Sequence, residues 1–166
     1  MDTIEETIEI AVPVRTAYNQ WTQFKSFPRF MSVVRGVEQV GPTVTRWTVG
    51  LGPVRRRFEA EIVEQRPDAR LAWRSMGRRP RHRGEVSFRP TAPDRTAVTL
   101  RLEFEPRRAA RGLARRVVRS ELGHFREFIE SIGEEGGAWR GTIREGRVQP
   151  AEPEPPRSRV PCWPVG

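Results

Sequence analysis

The sequence predicts an α+β fold in which an antiparallel sheet buries one apolar face against a single long C-terminal helix. Three observations carry this reading. From Ala109 to Ile132 the apolar residues Leu113, Val117, Val118, Leu122, Phe125, Phe128, Ile129 and Ile132 recur at spacings of three and four, which is one stripe of a helix. From Glu38 to Glu105 the chain reads instead as short strands. Ahead of that series lie a strand and two short helical pieces. A sheet with one apolar face must cover it, and the long stripe is the obvious cover.

Taken in order, Ile4, Ile8 and Ile10 share one parity of a first strand, with Glu5 and Glu9 on the other. Pro13 opens a short helix that puts Val14, Ala17, Tyr18 and Trp21 on one side. Aromatics then recur as Trp21, Phe24, Phe27 and Phe30, and Pro28 makes this two short pieces with a bend rather than one helix. Strands are expected at Val33–Val40, Thr43–Leu51, Val54–Gln65, Arg70–Ser75, Arg83–Arg89 and Arg95–Glu105, separated by the turns Gly41-Pro42, Gly52-Pro53, Pro67-Asp68-Ala69 and Pro90–Asp94 and by the Met76–Arg81 loop. The long helix stops near Ser131 to Gly133. The domain therefore spans 1–132, and 133–166 is a Gly/Pro-rich tail, largely disordered, with a short piece around Trp139 to Ile143 packed back.

Composition limits function. At 166 residues the chain is one domain, large enough for a core and a small cavity. No apolar run reaches a membrane span, and the first residues carry acids where a signal peptide needs bases, so a cytoplasmic location is expected. The lone Cys162 forms no intramolecular disulfide and no cysteine metal cluster. The formal charge of +9 suggests a polyanion partner, but all basic residues except Lys25 are arginine, which fits coding bias and a solvated surface better than nucleic-acid binding. Arg107, Arg108, Arg111, Arg115, Arg116 and Arg119 give the first half of the long helix a basic face, needing either solvent screening or an acidic partner. No dinucleotide, phosphate-loop, nucleophile-elbow or paired-histidine metal motif is present, so no metal or cofactor is expected.

Several segments together resemble a known family: Val12-Pro13-Val14 through Tyr18-Asn19-Gln20-Trp21, Phe27-Pro28-Arg29-Phe30-Met31, Phe58-Glu59-Ala60-Glu61-Ile62, Ala72-Trp73-Arg74-Ser75 and Phe125-Arg126-Glu127-Phe128-Ile129-Glu130. These resemble the bacterial polyketide cyclase/dehydrase-like proteins of the START-related (SRPBCC) superfamily, over roughly residues 3 to 132. Gly137-Ala138-Trp139-Arg140-Gly141 is similar to a tail of many such proteins. The resemblance implies the helix-grip (START/Bet v 1-like) fold, a curved seven-stranded antiparallel sheet around the long helix with two short helices after the first strand. It also implies an internal cavity for an apolar ligand.

Under that fold the cavity wall is Trp47, Val49, Phe58, Ala60, Ile62, Leu71, Trp73, Val86, Phe88, Val98, Leu100 and Leu102, with Val118, Leu122 and Phe125 from the helix. Phe27, Phe30 and Met31 are candidates for a lid over the cavity entrance, the alternative being ordinary packing against the long helix. Two polar residues are candidates for chemistry. His82 extends the inward parity of Gly84, Val86 and Phe88, where an imidazole moves a proton or polarises a carbonyl. Arg56 shares parity with Phe58, Ala60 and Ile62 and suits a ligand carboxylate or carbonyl at the cavity mouth, whereas the parity of Arg46 points it outward. His124, in the long helix, has no metal ligand at the positions four before and four after it. The expected function is binding or transport of a small hydrophobic or aromatic molecule. The alternatives are a polyketide cyclase/aromatase acting on a chain held by an acidic acyl-carrier protein, and a basic accessory protein binding an acidic partner or nucleic acid.

Overall fold

The computed structural model describes residues 2–77, 81–105, 110–134 and 139–150. The first strand β1 (Asp2–Ile10) leads into helix α1 (Val14–Trp21), which starts at Pro13, and a 3₁₀ helix (Phe24–Arg29) that contains Pro28. Six strands follow: β2 (Val34–Gln39), β3 (Val44–Leu51), β4 (Val54–Arg66), β5 (Arg70–Met76), β6 (His82–Ala92) and β7 (Arg95–Phe104). Helix α2 (Ala110–Ile132) comes next, then a two-strand hairpin, β8 (Ile143–Arg144) and β9 (Arg147–Val148). No helix among the described residues is long and apolar enough to cross a membrane. The expectations for the middle of the Met76–Arg81 loop, for Arg107, Arg108 and Cys162, and for the disordered end of the tail fall on residues outside those described.

The sheet is antiparallel, but the expected curvature is corrected: the sheet is not curled around the helix. Its strands form the open row β1-β7-β6-β5-β4-β3-β2, with β1 and β2 as separate edges. The reason lies in the cover. α2 lies along β1, α1 packs on β6 and β7, and the 3₁₀ helix sits beside β2, so three elements share the apolar face that one helix was expected to cover alone. A sheet covered piecewise need not wrap a single cylinder.

The strand alternation sets what is buried. Ile10 of β1, Val98 of β7 and Val86 of β6 point inward and meet Phe125 and Ile129 of α2 in one core, and all five are fully buried; Ile4 of β1 is buried on the same parity. Burying each such side chain stabilises the fold by about 1.5–3 kcal/mol. Glu6 shares the inward parity of Ile4 and Ile8, and its carboxylate takes Arg115 at 2.9 Å and Arg119 at 3.2 Å from α2. Two arginines of the basic helix face, Arg115 and Arg119, therefore have an acidic partner within their own chain, at the edge strand the helix covers.

Beyond α2 the chain returns to the sheet. β8 pairs with β4 at Gln65 and Glu64, beside a bulge between Ile62 and Glu64. The Trp139 N–H donates to Thr22 Oγ1 at 2.9 Å. Arg140 then makes a fork: Nη1 and Nη2 donate to the two Asp68 oxygens at 2.9 and 2.8 Å, and Nη1 also donates to Asn19 Oδ1 at 2.6 Å. Its guanidinium carbon lies 5.7 Å from the centre of the Tyr18 ring. Gly141 leaves room for the Trp139 ring, since a Cβ there would meet that ring at 2.4 Å. Asp68 occupies the left-handed region at φ 62, a conformation aspartate tolerates at a turn. Arg140→Ala should cost about 1–2 kcal/mol of stability, because bidentate charge-assisted bonds are lost at a site only partly shielded from water. Denaturant titration checks the magnitude, and amide exchange should quicken across 139–148 while β6 and β7 are unchanged.

Candidate functional site

Two features of the sequence leave a void between the sheet and its cover. The large side chains of α2 that face the sheet, Leu122, Phe125 and Ile129, lie in its C-terminal half, while the earlier turns offer Ala114, Val117 and Val118. On the sheet, the central positions include Ala60 and Gly84. The result is a cavity of about 820 Å³, within the usual size range for small-molecule sites. Its floor is Trp47 and Val49 of β3, Phe58, Ala60 and Ile62 of β4, Leu71 and Trp73 of β5, and Leu100, Leu102 and Phe104 of β7. Trp21, Phe24, Phe27, Met31, Val34 and Ala114 close it from the other sides.

Polar groups are few and sit at particular places. Thr45 Oγ1 accepts the Trp47 indole N–H at 2.7 Å, which fixes the ring parallel to that of Phe58. His82 stands edge-on to Phe58 with centroids 4.8 Å apart, and its backbone N–H donates to Ser75 Oγ at 2.9 Å. Arg56 and Glu105 line the cavity and are exposed, so the opening is at their end. Arg83, next to His82 in the chain, is ion-paired with Glu103, which offsets its positive charge there.

Gly84 determines how Trp73 lies. The two are cross-strand partners, and a Cβ on Gly84 would fall 2.2 Å from the Trp73 ring. The indole therefore lies flat over the glycine along the cavity floor. No side chain at position 84 can share that space.

A second cavity of about 720 Å³ adjoins the first, and both are lined by Phe24, Thr45 and Ile62. Its other walls include Gln20, Thr22, Thr43, Gln65 and, from the returning tail, Trp139 and Ile143. Gln20 and Gln65 are buried here. Burial pushes the nearby Tyr18 phenol up to about 12, against the smaller opposing effects of the Gln65 amide and the Arg140 charge.

Nine of the expected wall residues do line the first cavity: Trp47, Val49, Phe58, Ala60, Ile62, Leu71, Trp73, Leu100 and Leu102. His82 and Arg56 line it too. Val86, Phe88, Val98, Val118, Leu122 and Phe125 are instead packed core, because α1 and the C-terminal half of α2 press on that part of the sheet. Of the expected lid, Phe27 and Met31 face the cavity. Phe30 leaves the 3₁₀ helix as its cap and stacks 4.8 Å from Phe128 and 5.4 Å from Phe125. Arg46 faces outward and pairs with Glu59 at 2.9 Å. His124 lies 3.4 Å from Glu121, whose carboxylate also accepts the Ser32 hydroxyl at 2.8 Å and so ties the segment after the 3₁₀ helix to α2.

Comparison with known proteins bears on this geometry. The family model described as polyketide cyclase / dehydrase and lipid transport matches residues 10–130. The chain belongs to that family. The family's description covers cyclisation, dehydration and lipid transport, and the fold is that of the solved structures the chain resembles. An uncharacterized 17.2 kDa protein of Streptomyces lincolnensis, from the melC2-rnhH intergenic region, is 42% identical over 149 residues, covering 86% of this chain and 99% of that protein. A Deinococcus radiodurans crystal structure is 29% identical with a TM-score of 0.64, over 78% of this chain and 98% of that one. The Zhui aromatase/cyclase of Streptomyces sp. R1128 shares the fold, with a TM-score of 0.63 at 16% identity, over 80% and 93% of the two chains.

Sequence reasoning missed Trp21, Phe24, Val34, Thr45, Phe104, Glu105 and Ala114 as lining residues. Thr45 was the most accessible of these, since it shares the inward parity of Trp47 and Val49. The Gly84–Trp73 stack yields a direct test. Gly84→Ala should cost about 1–3 kcal/mol by overpacking, and the loss should shrink when Trp73→Leu is added, as measured by denaturation of the single and double variants. A second test uses Tyr18, the one tyrosine of the chain. Its folded pKa lies above the unfolded value, so its contribution to stability is intact below pH 10 and is lost as pH rises to about 12. Tyr18→Phe should flatten that alkaline decline in urea midpoints collected from pH 9 to about 12.

Proposed function

We propose that the protein binds a small hydrophobic or aromatic molecule in the 820 Å³ cavity and carries or senses it. The observation that carries this reading is a wall of apolar and aromatic side chains interrupted, among the described residues, by polar groups only at Thr45 and at the mouth. Trp47, Phe58 and Trp73 offer flat faces and edges suited to ring systems. Thr45 supplies a single hydroxyl deep in the floor.

Ala60 is the position that separates a used cavity from an idle one. It is buried in the floor and carries the smallest side chain among the residues lining β4. Ala60→Phe should fill the void and weaken binding at least about tenfold while leaving the fold intact. Native mass spectrometry of the freshly purified wild type should show a retained small molecule that this variant lacks. Equal retention by the two proteins would place the ligand elsewhere.

A second reading is favoured by one observation: His82 and Arg56 line the same cavity near its opening. In a cyclase, Arg56 would hold a carbonyl oxygen of a poly-β-keto chain while His82 takes a proton from the adjoining acidic carbon. The same cavity variants distinguish the readings when paired with His82→Ala. A carrier keeps its affinity in His82→Ala, whereas a cyclase keeps binding and loses product.

A further inference from the structure

The end of the molecule that holds the cavity opening carries a surface that ligand binding does not use. Strand β5 ends its pairing with β4 at Met76 opposite Glu59, and β2 ends its pairing with β3 at Val49. The β3–β4 hairpin continues past both, and among the described residues, 54–58 of β4 are paired only with β3. Five residues of strand at about 3.3 Å each make an overhang of about 16 Å.

The overhang has an unusual composition. Val54, beside the turn at its tip, is 55% exposed. Arg55, Arg56 and Arg57 follow, and all three are exposed. Gly50 leaves space on the outer face into which Arg35 and Arg55 reach: a Cβ there would lie 3.6 Å from Arg35 Nε and 3.5 Å from Arg55 Cγ. Many other arginines of the sheet and of α2 are matched with acids: Arg46 with Glu59, Arg74 with Glu61, Arg83 with Glu103, Arg95 with Glu9, and Arg115 and Arg119 with Glu6; single arginines such as Arg89, Arg126 and Arg144 stand outside these pairs, scattered over other parts of the chain. Among the described residues Arg35, Arg55, Arg56 and Arg57 have no acid within ion-pair distance. Two further apolar side chains stand at this end: Met76, 44% exposed, and Leu113, 51% exposed and next to cavity-lining Ala114.

We propose that this end of the protein docks on an anionic lipid bilayer. Val54, Met76 and Leu113 enter the boundary between headgroups and acyl chains, and Arg35, Arg55 and Arg57 engage lipid phosphates through their planar donor forks. The apolar residues are separate prongs on a hairpin tip, a strand end and a helix turn, placed around an opening. A protein partner would need a continuous packed patch to use them, whereas a bilayer accepts each one independently. Docking goes beyond the ligand-binding reading; only its purpose, passing an apolar molecule between bilayer and cavity without crossing water, rests on that reading.

The test is flotation of the full chain with vesicles of phosphatidylcholine, with and without about one-third phosphatidylglycerol, at low and high salt. Binding to the anionic vesicles should exceed binding to the neutral ones at least about tenfold and should fall as salt rises. Each basic residue near such a surface strengthens binding about fivefold, so Arg55→Ser with Arg57→Ser should weaken it about 25-fold. Val54→Asp should weaken it at either salt concentration. Arg126→Ser with Arg144→Ser removes the same charge from exposed positions elsewhere and should leave most of the binding in place. No flotation with anionic vesicles would overturn the proposal, as would an equal loss in the two arginine pairs. Retention on soluble polyglutamate without flotation would assign the arginines to an acidic protein instead. Ala60→Phe should still float, so a failure of docking and a failure of ligand binding are separable.

Discussion

The structure depends on one aromatic junction. Phe125 of α2 packs edge-on against Trp21 of α1 at 5.0 Å and tilts against Phe30 at 5.4 Å, while Trp21 also meets Phe27 and Phe88 at 5.4 and 6.2 Å. Three helical pieces and β6 are thereby locked at one end of the sheet's inner face. Rings in such contacts contribute beyond their buried area and hold fixed angles. The other end of that face receives no comparable ring from α2, whose early turns present Ala114, Val117 and Val118. The cavity is thus the complement of the junction: space exists beside it because the bulky residues of the cover are spent on one side.

The edges are held by charge rather than by shape. Glu6, turned inward on β1, anchors two arginines of α2 and so fixes the helix over the strand that most needs cover. At the opposite side, the chain after α2 comes back to Thr22, Asn19 and Asp68 and lays β8 along β4. That return supplies Trp139 and Ile143 to the second, more polar cavity. Segments distant in the chain therefore build both chambers, and Ile62, Thr45 and Phe24 stand between them.

Much of this was legible in the residues. The period of Leu122, Phe125 and Ile129 fixed the helix and its buried side, and strand parity identified Trp47, Phe58, Ala60 and Trp73 as inward. Parity says which face a side chain takes, not which part of that face is covered. That is why Val86, Phe88 and Val98 share the face of the cavity residues yet belong to the packed core. Of the two readings open for Phe30, lid or packing against the long helix, it takes the second, since the 3₁₀ helix ends there and its side chain turns to α2. Glu6 could have been found from its parity with Ile4 and Ile8. The Gly84–Trp73 contact, the open strand order and the Arg140 fork depend on cross-strand register or on distant chain segments, which local periodicity does not encode.

Three of the five tryptophans, Trp21, Trp47 and Trp73, border the main cavity, each with a different neighbour: Phe125, Thr45 and Gly84. The interior thus carries built-in indole emitters at its ceiling and floor. An occupant that absorbs in the near ultraviolet would drain their emission without any attached dye, and removing one indole at a time would reveal where in the chamber that occupant rests.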